Sequence, residues 1–366
     1  MSGTRAALRE PASRWGSLLA GGADGERLVA LRRERARRAR LRAVPEDLHE
    51  EVRGALERMG VGRLYSHQVE AVEAAWRGPA IVTTGTASGK SMCFNLPTLD
   101  VLCRDSRARA LYLYPTKALA QDQARGLASF GLTRHARPAI YAGDTPRELR
   151  AEVRRSANIV LSNPDMLHVG ILPHHEAWAG FFANLAVVVV DEAHTYRGVF
   201  GSHVANVLRR LRRIADMYGT APRFLLASAT VANPVELAER LTGLDGIELI
   251  DEDGSGRGER EVAMLNPALI DEHTGQRRPA AVEASELVAG LVREGARVIC
   301  FARSRKRVEL LCQAVQAELA GEGDLSELVV PYRAGYTAAQ RRELEERLVG
   351  GGLRAVITTN ALELGI

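Results

Sequence analysis

Along this chain, short runs of consecutive apolar residues alternate with longer stretches in which apolar positions recur every third or fourth residue. The runs lie at 81–83, 110–114, 139–141, 159–161, 185–190 and 224–227, and each is strand-sized. Consecutive apolar residues without polar alternation describe strands buried on both faces, as in a parallel sheet covered by helices. The recurring stretches predict helices: Leu48, Val52, Leu56 and Met59 form a stripe that stops at Gly60 and Gly62, and 69–76 forms another ended by Gly78 and Pro79. Val204, Leu208, Leu211 and Ile214 make a third, which reads as core packing. From 282 the alternation resumes, with helices expected at 282–293, 306–319 and 337–348 and strands at 297–302, 328–332 and 354–359. The pattern is that of an α/β protein with parallel sheets. Its polar motifs fall at strand C-terminal ends, where open α/β sheets bind ligands.

Length and composition refine this picture. With 366 residues the chain has room for two domains, each with its own core, and no apolar run approaches membrane-spanning length. The stretch 251–258 (D-E-D-G-S-G-R-G) is acidic and glycine-rich, and 259–279 carries Pro267 and Pro279 with little periodicity. The organisation expected is therefore a basic arm at 1–44, a first domain at 45–250, a linker at 251–281 and a second, incomplete domain at 282–366. The block 26–42 is dense in arginine; it reads as a solvated helix or flexible arm, with a helix lying on a phosphate backbone as the alternative. The net charge of +4 points mildly toward an acidic partner such as nucleic acid. Cys93, Cys103, Cys300 and Cys312 lack metal or disulfide spacing, which suits small buried hydrophobes in a reducing cytoplasm. The first twenty residues lack the apolar centre of a secretory signal.

The chemistry concentrates at Thr84-Gly-Thr-Ala-Ser-Gly-Lys-Ser91, which follows the run 81–83 and precedes a helical pattern. Backbone N–H groups at a helix N-terminus can wrap a polyphosphate when side chains leave room, so Thr84, Gly85, Thr86, Ala87, Ser88 and Gly89 form the candidate loop. Lys90 would reach the β and γ phosphates of ATP, and the Ser91 hydroxyl would ligate Mg²⁺. Thr84 stands where the general pattern has glycine; the adjacent Gly85 is expected to preserve the turn. Two of the three lysines in this arginine-biased chain, Lys90 and Lys117, fall inside motifs. The run 185–190 leads into Asp191-Glu-Ala-His194, whose adjacent carboxylates can divide their labour: Asp191 on Mg²⁺, Glu192 on the attacking water.

These motifs are joined by Leu64-Tyr-Ser-His-Gln68, Tyr114-Pro-Thr-Lys-Ala-Leu-Ala-Gln-Asp-Gln123, Ser162-Asn-Pro-Asp-Met-Leu-His168, Ser228-Ala-Thr230, Phe301-Ala-Arg-Ser304, Tyr332-Arg-Ala-Gly-Tyr336 and Thr358-Thr-Asn-Ala-Leu-Glu-Leu-Gly-Ile366. Together they resemble the superfamily-two DEAD/DEAH-box helicases, and more narrowly the YprA/MrfA-type helicases associated with DNA repair, from about residue 45 to the last. The resemblance implies tandem RecA-like P-loop NTPase domains and an ATP- and Mg²⁺-dependent motor on single-stranded or tailed DNA, moving 3′ to 5′, cytoplasmic and monomeric, with no membrane partner. It implies that Lys90, Asp191 and Glu192 carry the catalysis, that Gln68 reads the adenine edge, and that His194, Ser228 and Thr230 couple the ATP site to movement. It also implies that Thr116, Lys117, Gly143, Thr145 and Asn163 hold a strand's backbone, with Tyr336 and Thr358 doing so from the second domain.

The departure comes at the end. The family's further motif, with a glutamine and arginine fingers, and its usual Cys-rich C-terminal domain are not in this sequence, so the expectation is a fragment that binds ATP weakly and hydrolyses it poorly. The alternatives are an RNA-remodelling ATPase of the same superfamily, a non-catalytic ATP- or nucleic-acid-binding module, or a P-loop ATPase acting on protein partners, which leaves the Thr116–Lys117 and Asn163–Pro164 motifs without a role.

Overall fold

The computed structural model describes residues 27–271, 273–333, 335–359 and 362. The rest of the expected arm, 1–26, and most of the last motif, 360–366 other than Leu362, lie outside the described residues. The chain divides into two compact units, Ala36–Gly258 and the described parts of Met1–Arg35 with Glu259–Ile366.

After strand β1 (Leu28–Glu34), the strands of Ala36–Gly258 follow in order: β2 (Leu41–Ala43), β3 (Arg63–Tyr65), β4 (Ala80–Thr83), β5 (Arg109–Leu113), β6 (Pro138–Ile140), β7 (Ile159–Ser162), β8 (Leu185–Val190), β9 (Arg223–Ser228) and β10 (Glu248–Ile250). Seven of them make one sheet in the order β10-β4-β9-β8-β5-β7-β6, and every pair in it is parallel. All four residues of β4 and of β7 are buried, as the unbroken apolar runs predict. The helices are α1 (Glu50–Arg58), α2 (Ser66–Arg77), α3 (Lys90–Arg104), α4 (Lys117–Ser129), α5 (Arg147–Ser156), α6 (Gly198–Met217) and α7 (Pro234–Thr242). Val204, Leu208, Leu211 and Ile214 of α6 pack into a core with Trp178, Phe182, Val188, Val190, Phe224 and Leu226. Leu208 and Leu211 are fully buried, which stabilises by about 2–3 kcal/mol each.

In the other unit, β11 (Arg260–Leu265) pairs antiparallel with β1, and β12 (Leu269–Asp271) pairs with β13 (Gln276–Arg277). Helices α8 (Ala280–Arg293), α9 (Arg305–Glu318) and α10 (Ala338–Val349) accompany β14 (Val298–Phe301), β15 (Val329–Tyr332) and β16 (Ala355–Thr358). These last three form a parallel sheet in the order β14-β16-β15. Its core gathers Val288, Val292, Val308, Leu311, Val315, Val329, Ala355 and Ile357.

Two expectations are corrected here. The described part of the basic arm is neither a solvated helix nor a flexible segment: Leu28–Glu34 is a strand, and its ladder to Arg260–Leu265 satisfies the backbone. Arg33 in it, and three of the arginines that follow it, are paired with acids further along the chain. Arg33 meets Glu261 at 2.7 Å, Arg37 meets Asp253 at 2.7 Å, and Arg40 and Arg42 each meet a carboxylate at 2.9 Å, Glu252 and Glu73 respectively. The segment 251–281 is also more than a linker, since 251–258 packs within the first unit and 260–265 is the partner strand. Among the described residues no helix is long and apolar enough to cross a membrane. All four cysteines are free; Cys93 and Cys312 are buried, and Cys103 and Cys300 half-buried.

Candidate nucleotide and nucleic-acid site

The loop 84–89 leaves the C-terminal end of β4 and delivers the chain into the N-terminus of α3. It turns at Ala87 (φ 58°) and Gly89 (φ 76°). Gly89 is required twice over: its φ lies in the left-handed region, and a Cβ there would sit 2.7 Å from Gln68 Nε2. Thr84 is accommodated because its buried hydroxyl lies 2.6 Å from Ser88 Oγ, which itself donates to the Gly85 carbonyl at 2.8 Å. Lys90 Nζ donates to the carbonyls of Thr84 (3.0 Å) and Gly85 (2.8 Å), which holds the ammonium against the loop.

Gln68 lies at the start of α2, beside the loop. Its Oε1 accepts from the Tyr65 N–H at 2.9 Å, and its Nε2 donates to the Gly89 carbonyl at 3.1 Å. Each half of the amide keeps a second hydrogen-bonding position.

Asp191 and Glu192 emerge from β8, next to β9 and one strand further from β4. Asp191 is buried, accepts from the Glu192 N–H at 2.8 Å, and is pushed up to about 7, first by burial and then by the neighbouring Glu192 charge. Glu192 adopts a left-handed φ of 49°. His194 joins this motif to Ser228-Ala-Thr230: its Nδ1 lies 3.2 Å from the Ala229 N–H and 3.3 Å from Glu192 Oε2. Unprotonated, Nδ1 accepts from Ala229; protonated, it donates to Glu192. Ser228 is buried and donates to the Ala229 carbonyl at 2.8 Å, whereas Thr230 is exposed.

The donor set fits Mg²⁺. Ser91 Oγ, the buried Asp191 carboxylate and Gln123 Oε1 are hard oxygens, and the last is buried with no partner among the described residues. No group of three or more His, Cys, Asp or Glu among the described residues is placed to hold a metal by itself.

The candidate strand-binding residues come from three neighbouring strands. Thr116 and Lys117 follow β5, Asn163 follows β7, and Gly143 and Thr145 follow β6. Each polar group also has local work. Thr116 caps α4 by accepting from the Leu119 N–H (3.4 Å), Asn163 accepts from the Met166 N–H (2.7 Å), and Thr145 Oγ1 accepts from the Ala142 N–H (2.8 Å). Lys117 Nζ meets Asp144 at 2.9 Å, which holds the Asp144 carboxyl below its usual range. In the other unit, Tyr336 donates to the Pro331 carbonyl at 3.2 Å, under the Arg333 guanidinium. Thr358 is fully buried and donates to the Thr359 carbonyl at 2.9 Å.

Two residues were not singled out by sequence reasoning. His67 is fully buried, with Nε2 3.1 Å from the Ser88 carbonyl while Nδ1 accepts from the Gly254 N–H at 3.1 Å. With Nδ1 an acceptor, the proton sits on Nε2, and the ring ties the phosphate loop to the segment 251–258. Gln123 of α4 donates from Nε2 to Ser91 Oγ at 2.7 Å, joining the helix capped by Thr116 to the candidate metal ligand. Both stand inside the sequence motifs, but their partners lie too far away along the chain to be read from spacing.

Residues 65–238 match the family model of the DEAD/DEAH box helicases. The chain is 45% identical over 333 residues to the uncharacterized ATP-dependent helicase YprA of Bacillus subtilis, covering 90% of this chain and 44% of YprA. It is 40% identical over 311 residues to the ATP-dependent helicase HRQ1 of Saccharomyces cerevisiae, covering 82% of this chain and 29% of HRQ1. The crystal structure of the DUF1998 helicase MrfA bound to DNA and AMPPNP superposes with a TM-score of 0.87 at 43% identity, over 93% of this chain and 48% of that one. Fold and site thus define a helicase domain of the DEAD/DEAH box class. Within that class the chain is similar to the YprA- and MrfA-type helicases, and it spans less than half the length of these relatives.

Proposed function

We propose that this chain is the ATP-binding part of a motor that moves 3′ to 5′ on single-stranded DNA in DNA repair, as a cytoplasmic monomer. The observation that carries the reading is the shared rim of one sheet. The phosphate loop, Ser228 and Asp191 leave the neighbouring strands β4, β9 and β8, and the candidate backbone contacts leave the adjoining β5, β7 and β6. The DNA and AMPPNP bound to MrfA agree with both halves.

The loop's N–H groups, the α3 N-terminus and Lys90 bind the phosphates of ATP, and the second positions of the Gln68 amide take the adenine edge. Ser91 and Asp191 hold Mg²⁺, which when bound neutralises phosphate charge and orients it. Glu192 takes the proton of the attacking water. His194 exchanges its Nδ1 partner between Glu192 and the Ala229 N–H, linking the state of the catalytic carboxylate to the Ser228-Ala-Thr230 strand end. Thr116, Lys117, Gly143, Thr145 and Asn163 hold a sugar-phosphate backbone without reading sequence.

The test is ATP hydrolysis with and without a single-stranded DNA oligomer, in the wild type and in Lys90→Ala and Glu192→Gln. Strand-stimulated turnover lost in both variants supports the reading; turnover that survives either substitution sinks it. Competition between matched DNA and RNA oligomers separates the DNA motor from an RNA-remodelling ATPase.

A further inference from the structure

Helix α6 carries four arginines in the run Arg209-Arg-Leu-Arg-Arg213, and they divide into two pairs. Arg209 donates to the Ala205 and Arg240 carbonyls, and Arg212 to the carbonyls of Thr242 and Gly243. Those two cover the C-terminal end of α7, where cations complement the helix dipole. Arg210 and Arg213 have no hydrogen-bond or ion-pair partner among the described residues. They line a groove of about 570 Å³ with His168, Phe200, His203 and Asp165. Phe200, which lines the groove, is 44% exposed, and its ring lies tilted at 49° against that of Tyr196, 5.7 Å away. Pro164 and Asp165, which follow immediately after Asn163, also line the groove.

We propose that this groove is a further single-strand binding site, in which a strand leaving Asn163 places phosphates on Arg210 and Arg213 and stacks a base on Phe200. The inference rests on the reading of the adjoining rim as a strand-binding surface. Unpaired cations beside an exposed aromatic ring provide both halves of sequence-independent strand binding: phosphate neutralisation and base stacking. Asp165 is the one carboxylate in the groove, and it lies in the first turn of Pro164–Met166, where the N-terminal N–H groups favour it. The arginines outnumber it.

The test is binding of a fluorescent single-stranded oligothymidine, long enough to extend past Asn163, at salt concentrations from about 50 to 200 mM. The proteins compared are the wild-type chain, the double variant Arg210→Ala with Arg213→Ala, Phe200→Ala, and Lys117→Ala as a reference on the rim. Because the two arginines hold no partners among the described residues, the double variant is expected to keep the wild-type melting temperature. Its plot of log affinity against log salt is expected to be shallower by about 1.4, at about 0.7 for each single-strand phosphate that is no longer neutralised. Phe200→Ala is expected to bind about tenfold more weakly with an unchanged salt slope, because stacking releases no counterions. An oligomer too short to reach past Asn163 should not distinguish these variants from wild type. A double variant with wild-type affinity and slope, while Lys117→Ala binds more weakly, overturns this inference and leaves the proposed function standing. A variant defect seen with duplex but not with single strands also overturns it. A wild-type chain that binds no single strand at all overturns both.

Discussion

His67→Phe isolates what ties the phosphate loop to the rest of its unit. The substitution keeps a planar ring, and so keeps the stacking against Tyr65, whose ring lies 5.7 Å away at 14°. It removes the two hydrogen bonds of the ring, to the Ser88 carbonyl and from the Gly254 N–H, each at 3.1 Å. Ser88, Gly254 and the ring itself are all buried, so no water takes the place of the imidazole nitrogens. A buried donor or acceptor left unpaired costs about 1–3 kcal/mol, giving a total near 4 kcal/mol if each of the two falls toward the middle of that range. For a unit the size of Ala36–Gly258, that is a fall in melting temperature of about 8–16 °C. Nucleotide affinity should fall with it, because Ser88 belongs to the loop that wraps the phosphates. The assay is thermal unfolding followed by titration of a fluorescent ATP analogue. Gly254→Ala provides an independent route to the same loss, since its Cβ would stand 2.3 Å from Ser66 Oγ and 2.9 Å from the Ser66 nitrogen, forcing the segment away from His67. The double variant should then cost less than the sum of the two. A His67→Phe protein that melts within about 2 °C of wild type, less than 1 kcal/mol on this scale, and binds nucleotide normally would refute the reasoning.

The remaining predictions concern the same surroundings. Burial lowers the pKa of His67 below its ordinary 6.5, so the stabilisation from its neutral ring is fully present above pH 6.5. It is lost as pH falls below that value toward the folded-state pKa, because the unfolded chain takes up the proton first. The melting-temperature gap between wild type and His67→Phe should therefore be wider at pH 7.5 than at pH 5.5; an equal gap would show that His67 does not titrate with folding. Gln123→Leu keeps the volume but removes the Nε2 donor to Ser91 and the orphaned Oε1. It should raise the Mg²⁺ concentration needed for tight nucleotide binding several-fold while leaving binding in EDTA unchanged, and equal losses in both conditions would count against a positioning role. Asn163→Asp preserves an acceptor for the Met166 N–H and should keep the melting temperature, yet weaken single-strand binding about tenfold by charge repulsion. Asn163→Ala should lose about 1 kcal/mol of stability as well. If Asn163→Asp binds a strand normally, the residue is only a cap.

How much of this was legible follows from where each signal lies. The strands β4, β7 and β8 are continuous apolar runs that end in polar motifs, and a parallel sheet with its ligands at strand ends follows from that pattern alone. The loop around Lys90 and the carboxylates Asp191 and Glu192 are local in sequence, so their residue types could be matched to chemistry directly. The block from Arg27 to Arg42 misled because its strand partner and most of its acids, Glu252, Asp253 and Glu261, lie more than two hundred residues downstream. A run of arginines looks solvated until its counter-charges are located. The glycines and prolines of 251–279 suggested a linker, yet Gly254 is there because the backbone comes so close to Ser66 that a side chain would collide. His67 and Gln123 act through Gly254 and Ser91, and long-range pairing of that kind leaves no trace in spacing.

The central claim is that the rim holding Lys90 and Glu192 hydrolyses ATP in response to a strand held on the same sheet. The most direct test measures fluorescent ATP-analogue binding and ATP turnover side by side, with and without single-stranded DNA, in wild type, Lys90→Ala and Glu192→Gln. The account predicts nucleotide binding weakened at least tenfold by Lys90→Ala and retained by Glu192→Gln, with the slow strand-stimulated turnover of the wild type lost in both. Nucleotide binding indifferent to Lys90, or turnover unaffected by Glu192→Gln, would contradict it.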